Sequence, residues 1–260
     1  MARGACLRYA CSMQTWTDEA LILAVDKFGD HDAIVHLFTP AQGLARGVVK
    51  RGLTSKQRPD MQPGTLVQAQ SKARLEQHMG TITLEAKQSY ATRVMADALR
   101  LAAVGSAMSL LRATLAEHDP HPELYHATHH FLQHVAGGVE ALVWLSEYVR
   151  LELALLELAG FGLDLSECAA TGGTEDLVYV SPKSGRAVCR AAGAPYHERM
   201  LVLPEFLRDD HLAERMDEVI AGLALTGHFF ETRLLPELHR HAPPLRGHFV
   251  ALLGRKAAVA

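Results

Sequence analysis

Hydrophobic and polar positions alternate along the first third of the chain, and then the period changes. Residues 21–25 form a short continuous apolar run that ends in the turn-rich Asp26-Lys27-Phe28-Gly29-Asp30. Over 33–38, Val35 and Leu37 alternate with Ile34, His36 and Phe38, and Pro40 closes the run. Over 44–50, Arg46, Val48 and Lys50 share one strand face. Over 65–72, Gln68, Gln70 and Lys72 lie together while Val67 and Ala69 point the other way. Over 81–87, Ile82, Leu84 and Ala86 alternate with Thr81, Thr83, Glu85 and Lys87. Period two marks a half-buried strand. Five such runs joined by Gly- and Pro-containing turns predict a small closed β-barrel of the OB type rather than a sandwich.

From Thr92 onward the spacing is helical: Val94, Ala98, Leu101, Gly105, Met108 and Leu115 recur at intervals suited to one face. A second helix is predicted over 122–135. A third, over 138–160, is apolar on most sides, with Glu140, Glu147, Arg150 and Glu157 on one narrow face, which predicts the central helix of a bundle ended by Gly160. Residues 177–180 and 186–189 flank Ser181-Pro182-Lys183-Ser184-Gly185, a β-hairpin pattern. Helices are expected again at 205–207, 210–226, 229–235 and, after Pro243-Pro244, at 245–253. The predicted class is therefore α+β: an N-terminal five-stranded OB-type barrel over 14–90, then a mostly α-helical domain over 91–260. The hairpin is a small β insertion at about 166–193. Residues 1–13 read as a disordered extension or an overlong start, and no role in the fold is assigned to them.

Charge sharpens this picture. The chain carries a formal −3, yet residues 1–90 sum to +3 and residues 91–260 to −6. Between Arg46 and Arg74 seven cations (Arg46, Lys50, Arg51, Lys56, Arg58, Lys72 and Arg74) face a single acid, Asp60. Concentrated positive charge on a small β domain is the electrostatic mark of a protein that grips nucleic-acid backbones. The connector from Lys50 to Pro59 joins two strands, so its cations can reach outward. Aromatic residues for base stacking are few here, namely Phe28, Phe38 and Tyr90, so phosphate electrostatics outweigh stacking.

Other chemistry is thinner. Four cysteines (Cys6, Cys11, Cys168 and Cys189) are too scattered for a disulfide scaffold, which fits a reducing cytoplasm. The most apolar stretch, 139–159, is broken by Glu140, Glu147, Arg150, Glu152 and Glu157, so no membrane span is predicted. The first dozen residues lack a secretory pattern. His118, His121, His126, His129, His130 and His134 form a cluster in which His126, His130 and His134, at i, i+4 and i+8, share a helix face and offer zinc-chelating spacing. The glutamate of a His-Glu-x-x-His site is missing, so these read as surface histidines, with a metal-dependent hydrolase as the rival class. Cys168 and Cys189 each lack the second cysteine of a zinc-ribbon pair. No phosphate loop or nucleophile elbow occurs, no cofactor is expected, and an RNA-binding barrel is the third alternative.

The chain also resembles the RecO family of bacterial recombination and repair mediators. The resemblance is carried by Trp16 to Leu23, by Phe28-Gly29-Asp30-His31-Asp32-Ala33-Ile34-Val35, and by Leu37-Phe38-Thr39. Gly43, the Lys50-Arg51-Gly52 to Arg58 loop and Gln62-Pro63-Gly64 continue it. A later block runs from Leu151-Glu152-Leu153 through Gly160-Phe161-Gly162-Leu163-Asp164-Leu165 to Cys168 and Tyr179-Val180-Ser181-Pro182. It implies a non-enzymatic protein that binds single- and double-stranded DNA and anneals complementary strands. With RecR, and alongside RecF and the recombinase, it would help load the recombinase onto strands coated by single-strand-binding protein. It would receive that protein's acidic-aromatic C-terminal tail on the helical domain. It implies a cytoplasmic, nucleoid-associated location, and by loop position it makes Lys50, Arg51, Lys56 and Arg58 the DNA-contacting stretch. Many relatives carry a four-cysteine zinc module where Cys168 and Cys189 stand; here they are its remnants, and the hairpin is expected to fold through packing.

Overall fold

The computed structural model describes residues 14–54, 60–73, 79–209 and 211–258. The expected extension at 1–13 lies outside them. Five strands, β1 (Gln14–Phe28), β2 (Asp32–Thr39), β3 (Gly43–Val49), β4 (Thr65–Ala73) and β5 (Thr81–Ser89), close a barrel in the order β1-β2-β3-β5-β4. The predicted apolar run at 21–25 is the middle of a much longer strand. Its first half pairs with β4 (Gln14↔Ala73 to Leu21↔Leu66) and its second half with β2 (Leu21↔Phe38 to Phe28↔Asp32). A register shift between Ile22 and Ala24 lets one strand turn from one neighbour to the other.

Why that run is continuously apolar follows from its two burials. Ala20 and Ile22 enter the barrel interior with Val35, Leu37, Val49, Val67, Ala69 and Ile82. Leu21 and Leu23 face outward and join Phe38, Leu44 and Leu66 in the core of the helical part. A strand buried on both faces loses the alternation that a half-solvated one keeps. The barrel and the helices thus share a core.

After a single turn, α1 (Tyr90–Arg93), come α2 (Ala98–Thr114), α3 (Pro122–Gly137) and α4 (Ala141–Leu158). Asp97 caps α2 by accepting from the Leu99 and Arg100 N–H groups at 3.0 and 3.1 Å. The buried stripe of α2 is Leu99, Ala102, Ala103, Ala107, Leu110 and Leu111, whereas the expected Leu101 is 38% exposed. In α4 the expected central position is met: Trp144, Leu145, Tyr148, Val149, Leu155 and Leu156 are all buried.

The hairpin β6 (Leu177–Val180) and β7 (Ala187–Cys189) gains a third strand, β8 (Leu201–Val202), in the order β7-β6-β8. Between them lie the single turn α5 (Arg190–Gly193) and a 3-10 segment, Ala194–Arg199. The helix expected over 210–226 instead starts late, as α6 (Met216–Phe229). Ala213 is held by an N–H bond to Ser146 Oγ at 3.0 Å, and Asp217 and Glu218 supply the acidic first turn that favours a start at Met216. The chain continues without a break through a π turn, Phe230–Leu234, into α7 (Leu235–Glu237), and ends in α8 (Pro244–Ala257). α8 is fastened by an ion pair inside the core: Arg246 Nε donates to Glu152 Oε1 at 2.7 Å and Nη2 to Oε2 at 2.9 Å. Arg246 Nη2 also donates to Leu223 O at 2.8 Å, and the Thr226 hydroxyl donates to the same carboxylate.

Two glycines set how closely the halves approach. Gly43 (φ +66°) lies so near the connector that a Cβ there would sit 2.0 Å from Asp119 O. Gly64 (φ +80°) packs where a Cβ would meet Val104 Cγ1 at 2.6 Å. With them run backbone bonds from His118 N–H to Leu44 O (3.1 Å) and from Tyr90 N–H to Gly64 O (3.0 Å). The helices therefore close the barrel end that carries Thr39, Gly43 and Gly64. Among the described residues, no backbone bond ties a helix to the opposite end.

Candidate nucleic-acid interface

The free end gathers cations by strand register. Val48 pairs with Thr81, and Thr81 with Lys72, so the end of β3 and the end of β4 lie beside the start of β5. Lys50 and Arg51 follow β3 directly, and Lys72 is the penultimate residue of β4; all three side chains are exposed. Lys56, Arg58 and Arg74 lie outside the described residues, in the stretches 55–59 and 74–78.

Asp32 organises the group. Its Oδ2 accepts from Lys50 Nζ and its Oδ1 from the Arg51 N–H, both at 2.8 Å. The second bond holds Arg51 at φ 58°, a left-handed conformation that turns the chain away from β3. The Arg51 N–H, followed by the Lys50 ammonium, also holds the Asp32 carboxyl below the ordinary carboxylate range. Leu53 N–H donates to His31 O at 3.0 Å, tying this connector to the β1–β2 turn. The Arg51 guanidinium and the Lys72 ammonium make no ion pair among the described residues.

Arg46 is placed differently. Its Nε bonds Glu117 Oε1 at 2.9 Å, inside a cleft of about 370 Å³ between the barrel and the helices. His36, Arg112 and Arg240 line the same cleft, and Arg112 pairs with Asp26 at 2.5 Å. Burial, then the Arg112 charge, lowers the His36 pKa. Arg46 thus ties β3 to the helical connector and stands apart from Lys50, Arg51 and Lys72.

Of the three aromatics considered for stacking, Phe38 and Tyr90 are buried. Phe38 packs edge-on against Tyr125, and Tyr90 O–H bonds His129 Nε2 at 2.7 Å. Phe28 is 45% exposed and sits opposite Asp32 in the β1–β2 register, next to the cations. Only its place just before the Gly29 turn hinted at this in the sequence.

The histidines do not converge as one centre. His121 pairs with Asp119 at 3.0 Å, His129 with Tyr90, and exposed His126 lies edge-on to Tyr125; only His130 and His134 come together, against Glu147. Cys168 and Cys189 do meet, the Cys189 N–H donating to Cys168 Sγ at 3.3 Å. Burial pushes the Cys168 thiol up, but the Thr171 hydroxyl and the N–H groups of Cys189, Ala170 and Thr171 outweigh it and bring the thiol down to about 6. Those bonds favour the thiolate form. Thr171 occupies the place of a second cysteine, however, and no further His, Cys, Asp or Glu ligand atom joins the pair among the described residues. Two thiols do not fit a structural zinc.

Barrel order and strand lengths define an OB-type protein fused to a helical scaffold, with one barrel end left open and cationic. Comparison narrows this class. Residues 13–90 match the family model for the Recombination protein O N terminal, and residues 95–241 that for the Recombination protein O C terminal. Among similar proteins, the DNA repair protein RecO of Rhodospirillum centenum is 43% identical over 237 residues, covering 90% of this chain and 93% of its own. That of Beijerinckia indica subsp. indica is 43% identical (91% and 94% covered), and that of Rhodospirillum rubrum 41% identical (95% and 99% covered). The chain belongs to the RecO family of DNA repair and recombination proteins. No helix among the described residues is long and apolar enough to cross a membrane.

Proposed function

We propose that this chain is a non-enzymatic DNA-binding mediator of recombinational repair, acting through the open end of the barrel. The observation that carries the reading is the convergence of Lys50, Arg51 and Lys72 at the end that the helices leave free. Lys56, Arg58 and Arg74 are assigned to the same interface from their nearness in sequence to these cations. Each phosphate met by a cation releases condensed counterions, a driving force blind to sequence. Phe28 adds a face on which one unpaired base stacks. A surface that screens phosphates while holding few bases suits annealing, since complementary strands can approach and still slide into register. Arg46 contributes little, its charge being met by Glu117.

In this reading the division into 14–90 and 91–260 is also one of labour. The more acidic helical part keeps DNA at the barrel and leaves its own surface to proteins, including RecR. The acidic-aromatic tail of single-strand-binding protein suits the cleft of about 730 Å³ between the start of α2 and the end of α8. There Leu99 and Leu252 offer an apolar floor, and Arg255 and Lys256 two cations. Loading of the recombinase onto coated strands would follow from holding both ligands at once, in the cytoplasm beside the nucleoid.

The test is strand annealing and gel shift on single strands, bare and coated, with the full chain and with Lys50, Arg51 and Lys72 replaced together by Ala. A marked weakening of both activities in the variant is the expected result. Unaltered annealing by a folded variant overturns the reading.

A further inference from the structure

We infer that His130, His134 and Glu147 form a binding site for one divalent transition metal, zinc above all, clamping α3 to α4. The inference goes beyond DNA binding and does not rest on it. His130 and His134 are one helical turn apart on α3, with ring centroids 4.1 Å apart. Glu147 comes from the neighbouring α4, across the turn made by Gly138 at φ 78°. Nδ1 of His130 lies 3.2 Å, and Nδ1 of His134 2.8 Å, from one and the same carboxylate oxygen, Oε1. All three ligand atoms lie within 4.8 Å of one another.

Around a tetrahedral zinc with bonds of about 2.0–2.1 Å, ligand atoms sit about 3.3 Å apart, so the two nitrogen–oxygen distances of 3.2 and 2.8 Å need only small adjustments. Two imidazoles and a carboxylate are the donor set of many zinc sites, and imidazole nitrogen selects against calcium and magnesium. A plain pair of His–Glu hydrogen bonds explains one half of the arrangement. It leaves the other half unexplained, because Glu147 Oε2 is buried with no hydrogen-bond partner among the described residues. An orphaned buried oxygen carries a desolvation penalty, and a cation bound by both carboxylate oxygens removes it. His130 is 58% exposed on its side chain, which gives the ion a route in and lets water or a further side chain complete its coordination.

The experiment is a titration of zinc chloride into the metal-stripped full chain by calorimetry, with cobalt(II) absorption as a second readout. Expected are one zinc per chain and a tetrahedral cobalt spectrum. Affinity should fall at least tenfold on His134→Ala and on Glu147→Gln, and stay unchanged on His126→Ala, an exposed residue one turn earlier, and on Cys168→Ser. Exposed His130→Ala serves as the same test if His134→Ala fails to fold. No uptake at submillimolar zinc, or an affinity that follows Cys168 and ignores Glu147, overturns the proposal.

Discussion

Removing Lys50, Arg51 and Lys72 together should flatten the salt dependence of DNA binding by an amount that the geometry sets. On single strands each phosphate contact contributes about 0.7 to the slope of log affinity against log salt. Arg51 and Lys72, unpaired among the described residues, count in full, or about 1.4. Lys50 counts for less, because it must leave Asp32, 2.8 Å away, to reach a phosphate. The loss of slope is then between about 1.4 and about 2.1, and the fall in affinity from about 50 to about 200 mM salt shrinks by about 7- to 20-fold. Fluorescence anisotropy of a labelled oligothymidylate across a salt series reads this directly. Arg46→Ala, measured beside it, should leave the slope where it was, since Glu117 already compensates that charge. Equal slopes for the triple variant and the parent refute the assignment. A large change from Arg46→Ala with none from the other three would move the interface to the cleft between barrel and helices.

The remaining expectations concern the supports of this end and of the core. Asp32→Asn keeps an acceptor for the Arg51 N–H but frees Lys50, so DNA should bind more tightly and the slope steepen by up to about 0.7 in the same assay. Glu152→Ala strands the Arg246 charge in the core and should cost about 3–5 kcal/mol in urea denaturation, whereas Glu152→Leu combined with Arg246→Met should cost clearly less. Gly43→Ala should destabilise by about 2 kcal/mol or more through its left-handed φ and its contact with Asp119, while Gly29→Ala, equally left-handed but with open space around it, should cost about 1 kcal/mol. Burial lowers the pKa values of His36 and His129, so their contribution to stability is complete above imidazole's ordinary 6.5 and is lost as pH falls below it. Denaturation midpoints should therefore drop between neutral and mildly acidic pH, and His36→Gln should shrink that drop.

Periodicity made the barrel legible because period two survives wherever one strand face meets solvent, as in β4 and β5. It understated β1, whose ends carry polar residues such as Thr15, Thr17 and Asp18 while the middle is buried twice. The strand β8 is two residues long, too short for any period to register. Glu152 could not be recognised as a core residue, because its partner Arg246 is far off in sequence and only the fold joins them. In the cationic stretch, sequence order put Arg46 with Lys50 and Lys72, but charge counts ignore the Glu117 that the connector brings to Arg46. Lys50, Arg51 and Lys72 were legible as a group because strand ends that share a barrel rim bring their flanking loops together.

The shared core gives the two halves a physical reason to stay together. Leu21 and Leu23 face the helices from the same strand whose neighbours Ala20 and Ile22 fill the barrel. A barrel cut away at Ser89 would expose that outer row together with Phe38 and Leu44, an apolar patch with no cover. The helices thus cover one end of the barrel, and in the proposed reading polyanions approach by the other, the cationic rim. The proposed electrostatic selection of DNA by the front of the chain would in this way rest on hydrophobic burial supplied by the back.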